Sequence, residues 1–360
     1  LLLAAGGALL VILNRTFPDE SRWLGAATLV AGCTVALVRE TAGRRALLQV
    51  LAATWLVLLG GEVTVRVENA RARRNFEGTL IRWSNDPELV YDLLPSVACE
   101  GTTTNDLGMV DAPRAIPKPP DTLRIACLGD SVGADCSLPG ATTCAALEGL
   151  LRERRGGRPV EGLNFSVFGY NTMQEARSLE LKAEAFHPDA VVVLYVINDP
   201  FPDIAVSHFL PGHLKFEHLL AGGAYLAAAR LLPGKLAPVP GLEQIYTEPR
   251  AWNDVVVAGF DRIEQSARKL GVPVVVAVFP MFLDPPWPAY SALYEKVATE
   301  ATAHGFIAVN LSSTAYRDVP VGSLLKPSRD FIHPNQLAHA LAARAIADAL
   351  PAAIVGGASP

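Results

Sequence analysis

Ser131, in the run Leu128-Gly129-Asp130-Ser131, and the pair Asp330 and His333 near the C-terminus are the residue types from which nucleophilic catalysis is built. A serine hydroxyl is a weak nucleophile until a base takes its proton, and a carboxylate must hold that base in the correct tautomer. Ser131 is therefore the candidate nucleophile, His333 the candidate base and Asp330 the candidate orienting acid. A spacing of three lets Asp330 and His333 present their side chains together from a loop or a first helical turn. Pro334 restrains the backbone just beyond His333 and suits the start of the alanine-rich stretch that follows. Each motif is weak alone: GDS occurs by chance in unrelated loops, and DFIHPN also reads as a polar lead-in to a helix.

The elements that must position these groups follow an α/β alternation. Leu123 to Leu128 is an apolar run halted by a small, polar turn, as in a buried parallel strand that delivers a residue to the carboxyl edge of a sheet. Ser131 is expected where a helix begins, so that free N–H groups there favour an oxyanion. Further strands are expected at Val160–Val167, Ala190–Asn198, Pro273–Phe279 and Phe306–Val309, with helices at Thr143–Arg155, Thr172–Phe186, Trp252–Leu270, Tyr290–His304 and Gln336–Leu350. The unbroken β-branched run at 190–198 marks a central strand covered on both faces. The sum is a doubly wound sheet of about five parallel strands. Asn171 is expected to bond its loop, Asp130 to brace the nucleophile turn, and Asn335 and His339 to be ordinary helix-side residues, although Asn335 could order the loop around His333. His187 reads as a helix end, and Trp252, Trp287 and Tyr290 as core.

The chain has 360 residues, a formal net charge of -5 and no basic tract, which argues against nucleic acid as a partner. Three apolar runs, Leu1–Leu13, Trp23–Val38 and Ala46–Gly61, are separated by charged breaks and read as a transmembrane region over 1–68, each run somewhat short of the ~20 residues a spanning helix needs. Arg39, Arg44 and Arg45 between the second and third runs place that loop inside, and the rest of the chain outside the cell membrane. Residues 69–120 form a juxtamembrane segment and connector, where prolines and turn residues argue against regular structure while Leu89, Val90, Tyr91 and Leu93 dock on the domain at 121–352. Within that domain, 201–250 is an insertion with an apolar helix near Leu214–Leu232, readable as a lid, a partner surface or a membrane contact. Its His208, His213 and His218 lack metal-ligand spacing. Among the cysteines, a Cys136–Cys144 disulfide is expected to brace the loop behind Ser131, with Cys127 a buried thiol of the core strand.

Four short blocks, Gly129-Asp130-Ser131, NFSVFGYNTMQEA with Gly169, VVVLYVINDP with Asn198, and Asp330 with His333, together resemble the SGNH/GDSL hydrolase family, in a bacterial membrane-anchored branch. The resemblance covers roughly Asp86 to Leu350 and implies a three-layer α/β/α sandwich, here preceded by transmembrane helices. It assigns the nucleophile to Ser131 in Gly129-Asp130-Ser131, and the acid and base to Asp330 and His333. It also assigns an oxyanion hole to the backbone N–H groups of Ser131 and Gly169 and the side-chain amide of Asn198. Val132 and Val196 depart from the residues many relatives carry beside these blocks. The implied protein is a membrane-anchored, extracytoplasmic serine esterase or acyltransferase of the bacterial inner membrane, acting on an ester such as an acylated envelope glycan or lipid, without cofactor or metal. Its partners would include membrane lipids and other membrane protein subunits. The alternative is a non-catalytic accessory subunit of a membrane protein complex, built on the same fold.

Overall fold

The computed structural model describes residues 80–201, 242–283, 288–326 and 332–356, with scattered helical positions between 49 and 67. The chain divides into two compact units, Leu1–Arg74 with Pro211–Leu236, and Asn75–Leu210 with Ala237–Pro360. The second unit carries the sheet.

Five strands form that sheet: β5 (Leu123–Gly129), β6 (Val160–Asn164), β7 (Ala190–Tyr195), β8 (Val274–Val278) and β9 (Ile307–Asn310). They are all parallel, in the order β6-β5-β7-β8-β9. Every residue of β5, β7 and β8 is buried, which is why these segments read as unbroken apolar runs and not as alternations. Successive side chains point to opposite faces. Ala126, Leu128, Val191, Val193, Tyr195, Val274, Val276 and Val278 enter one core with residues of α2 (Thr172–Leu181), α4 (Ala258–Leu270) and α5 (Pro288–Ala303). Ile125, Cys127, Val192, Leu194, Val275 and Ala277 enter the other, against α1 (Thr143–Arg154) and α6 (Gln336–Ala349). Each fully buried valine or leucine contributes about 1.5–3 kcal/mol by leaving water, so the two cores dominate the stability of this three-layer α/β/α sandwich.

The order of the strands also locates the site. From β5 the chain goes out to β6 on one side and then returns to place β7 on the other, so β5 and β7 flank a topological switch point. Ligands of open α/β sheets sit at the carboxyl ends of strands at such a point. Helix starts are set locally. Asn171 caps α2 in a reciprocal box, its Oδ1 accepting from Gln174 N at 3.0 Å while Gln174 Oε1 accepts from Asn171 N at 3.2 Å. Helix α4 is preceded by a π-helical turn, Trp252–Val257, and ends on Gly271 in the left-handed conformation. His187 is likewise a left-handed helix end, with φ 51°.

Several expectations are corrected. Among the described residues no helix is long and apolar enough to cross a membrane. The runs at 1–13 and 23–38, and most of 46–61, lie outside the described residues. The transmembrane region, the membrane-anchored branch, the extracytoplasmic inner-membrane placement and the membrane partners are therefore withdrawn, and with them the accessory subunit of a membrane complex. The connector is not irregular. It forms two antiparallel hairpins, β1 (Ile81–Trp83) with β2 (Tyr91–Leu93) and β3 (Ala98–Cys99) with β4 (Thr102–Thr103). Leu89, Tyr91 and Leu93 are buried against Val167 and Tyr170, and Tyr91 Oη donates to Phe168 O at 2.5 Å. The disulfides are Cys99–Cys136 and Cys127–Cys144, not Cys136–Cys144. Cys127 on β5 lies directly under the first turn of α1, where Cys144 sits, so strand–helix packing outweighs nearness in sequence. The expected helix near Leu214–Leu232, with the three histidines of the insertion and Trp287, lies outside the described residues; 242–247 forms the short helix α3 (Leu242–Thr247).

Candidate active site

Ser131 leaves β5 in a tight turn, not at a helix start; Ala134 N donates to Asp130 O at 2.9 Å and α1 begins twelve residues later, at Thr143. The turn is pressed onto the segment after β6. A Cβ on Gly133 would stand 2.1 Å from Ser166 Oγ and 2.6 Å from its Cβ, a clash that only glycine avoids. Asp130 braces the turn from inside, its Oδ1 accepting from Val132 N at 2.8 Å.

His333 comes from the other end of the chain. Leu325 pairs with Pro334 to close a neck, and His333 lies on the loop side of it. Asn335 secures the neck: its Nδ2 donates to Ser323 O (2.8 Å) and Leu325 O (3.1 Å), while its Oδ1 accepts from Ala338 N (3.1 Å) and caps α6. The result is a hydrogen bond of 2.8 Å between His333 Nε2 and Ser131 Oγ, across 202 positions of sequence. His333 is half-buried and Ser131 is buried, at 6% exposed. Asp330 lies outside the described residues.

Gly169 ends the turn between β6 and α2 with φ +71°, a left-handed conformation that costs a glycine little. Asn198 follows β7 and donates from Nδ2 to Asp130 Oδ2 at 3.0 Å, so its amide faces the nucleophile turn and is engaged by that turn's own carboxylate. The peptide before Asn198 is held from α3, where Tyr246 Oη donates to Ile197 O at 3.0 Å and meets Tyr195 Oη at 3.1 Å.

Beneath the turn lie three buried acids. Burial pushes the Asp130 carboxyl up, against the pull of the Asn198 amide, the Val132 N–H and His333. Burial, with the charge of the neighbouring acids, pushes Glu175 and Asp199 well above the carboxylate range. Among the described residues, both Glu175 carboxyl oxygens and Asp199 Oδ1 are buried without a hydrogen-bond partner, which fits neutral, protonated acids.

A hydroxyl–imidazole–carboxylate arrangement stands beside the Ser131–His333 pair. Thr143 Oγ1 meets His339 Nδ1 at 2.8 Å, and His339 Nε2 is 3.9 Å from Asp135 Oδ2. His339 is thus not an ordinary helix-side residue; it and Thr143 are fully buried. Burial pushes its imidazole down, so it stays neutral. Asp135 is 4% exposed, and although burial acts to raise its carboxyl, His339, Lys326 and Ser137 hold it well below the usual range. The signal was present in the sequence: His339 falls at the spacing of Ala342, Ala343 and Ile346, on the core stripe of α6, where a polar side chain needs a partner. No cluster of His, Cys, Asp or Glu among the described residues could hold a metal ion.

A profile of the GDSL-like Lipase/Acylhydrolase family matches residues 127–341, more than half of the chain. Solved structures similar in fold include an acetylxylan esterase from Geobacillus stearothermophilus (15% identity, 63% of this chain and 93% of that one, TM-score 0.43). Others are an α/β hydrolase from the metagenome of Lake Arreo (14%, 63% and 94%, TM-score 0.42) and a lipase/acylhydrolase from Enterococcus faecalis (17%, 62% and 93%, TM-score 0.39). A search of curated protein sequences returns no match. The span of the profile covers the end of the strand before Ser131, the turn itself and the loop of His333, and on that match the chain belongs to the GDSL-like lipase/acylhydrolase family.

Proposed function

We propose that the protein is a serine esterase whose nucleophile is Ser131 and whose base is His333. The observation that carries this reading is the 2.8 Å hydrogen bond between Ser131 Oγ and His333 Nε2 at the switch point of the sheet. In the reaction Ser131 Oγ attacks the ester carbonyl carbon as its proton passes to Nε2. The tetrahedral oxyanion collapses, the alcohol leaves with that proton, and the acyl group on Ser131 is then passed to water or to another hydroxyl. Asp330, three residues before His333, is the proposed orienting acid. The N–H groups of Ser131 and Gly169 and the Asn198 amide are the proposed oxyanion donors, the last exchanging its Asp130 partner for the developing charge. The Thr143–His339–Asp135 arrangement is not assigned the chemistry, because a fully buried hydroxyl and imidazole leave no room for a substrate carbonyl.

A fluorophosphonate probe tests the proposal directly. The folded wild-type protein should be labelled on Ser131, and Ser131→Ala should abolish both labelling and turnover of a short-chain p-nitrophenyl ester. Equal labelling of the two proteins would refute the assignment of Ser131.

A further inference from the structure

We propose that Asp135 is a positioning residue for the Ser131–His333 pair, tying the turn that carries the nucleophile to the start of the segment that carries the base. This rests on the serine esterase reading of the site. Asp135 lies four residues after Ser131 in the same stretch of chain, and is buried. Its Oδ2 forms an ion pair with Lys326 Nζ, and its Oδ1 accepts from Ser137 N at 3.0 Å and Ser137 Oγ at 2.7 Å. Lys326 closes the circuit by donating to Ser137 Oγ at 2.8 Å. On its other side Asp135 faces His339 Nε2, 3.9 Å from Oδ2.

The two anchors bracket His333. Lys326 is the residue after Leu325, at the neck formed with Pro334, and so begins the loop on which His333 sits. His339 belongs to the first turns of α6, which starts directly after that loop, and its Nδ1 is fixed by Thr143 of α1. One carboxylate is therefore ion-paired to the start of the base-bearing segment and stands 3.9 Å from an imidazole just beyond its end. On the opposite side the next residue, Cys136, is bonded covalently to Cys99 of β3. The turn of Ser131 is held between the connector and the His333 loop, and Asp135 supplies the second of these attachments. A nucleophile and base that meet through a single 2.8 Å contact, from opposite ends of the chain, depend on such an attachment. Misplacement by about 1 Å is enough to cost ~10²-fold in rate.

The experiment compares Asp135→Asn, Lys326→Met and the double variant with the wild type, by steady-state kinetics on p-nitrophenyl acetate and by crystal structures. Asp135→Asn should lower kcat by about 10- to 100-fold with KM within about twofold. Lys326→Met should act in the same direction, and the double variant should be no worse than Asp135→Asn, because both changes break one attachment. The Ser131 Oγ to His333 Nε2 separation should lengthen beyond hydrogen-bond range in Asp135→Asn. Unchanged kcat in the folded variants, multiplicative losses in the double variant, or a retained 2.8 Å contact would each overturn the proposal. Lys326 is less buried than Asp135, its side chain 20% exposed, so its variant keeps the test open should Asp135→Asn fail to fold. Ser131→Ala in the same assay separates the two readings. Persistent turnover there refutes the serine esterase alone, and the crystallographic separation still decides the role of Asp135.

Discussion

Replacing Arg124 by methionine should cost the protein about 3–5 kcal/mol of stability, a large share of the 5–15 kcal/mol that holds a domain folded. Arg124 lies on β5, the strand that delivers Ser131, and its side chain is wholly buried. Its Nε donates to Glu161 Oε2 at 2.7 Å, Nη1 to Ile116 O and Phe186 O at 2.9 and 2.8 Å, and Nη2 to Ala115 O at 2.6 Å and, weakly, Pro117 O at 3.4 Å. The guanidinium also lies 5.6 Å from the Phe186 ring centroid. Four good charge-assisted bonds at about 1.5–3 kcal/mol each would sum to about 6–12 kcal/mol. That sum is too large, because the variant no longer desolvates a guanidinium, and because the Glu161 side chain, 20% exposed, can turn to water. What remains is the cost of carbonyls left without donors beneath the connector. Urea denaturation at constant slope should show it: at about 2 kcal/mol per molar, the midpoint falls by roughly 1.5–2.5 M. Arg124→Lys should recover little, since one ammonium cannot reach a carboxylate and three carbonyls in one plane. A loss below about 1 kcal/mol, or full rescue by lysine, would refute the view that this residue clamps connector to sheet.

Two further outcomes follow from buried groups near the site. Glu175→Gln should gain stability relative to the wild type as pH rises from about 5 to 8. The folded carboxyl is held protonated by burial while the unfolded one ionises near its ordinary value, so the wild type loses up to about 1.4 kcal/mol per pH unit across that window and glutamine does not. Thermal melts of both proteins across the range measure this, and parallel curves would contradict a neutral Glu175. Asn335→Ala should cost about 1–2 kcal/mol, as a lost helix cap does, and should also slow fluorophosphonate labelling, because the same side chain ties the His333 loop to Ser323 and Leu325. Destabilisation with an unchanged labelling rate would reduce Asn335 to a cap.

Most of the sheet and part of the site can be read from local sequence. Valine-rich runs such as Ala190–Tyr195 are buried on both faces, and that environment is written into their composition. The helix expected to end at Leu270 does so, on Gly271 in the left-handed conformation, whereas Asn335, read as an ordinary helix-side residue, proves to be the cap of α6. The motif around Ser131 and the spacing of Asp330 and His333 name the groups, though not that two of them meet at 2.8 Å. Other features depend on contacts between residues distant in sequence, which no periodicity records. Cys127 pairs with Cys144 because α1 lies across β5, and Cys99 reaches Cys136 because the connector folds into hairpins. Arg124 reads as a flaw in an apolar strand until Ala115, Ile116 and Phe186 bring it their carbonyls. The sequence by itself determined which residues could act as nucleophile and base. Only the tertiary structure decided that Ser131 and His333 share a hydrogen bond and that Asp135 stands between Lys326 and His339, because the packing of β5, α1 and α6 sets those distances.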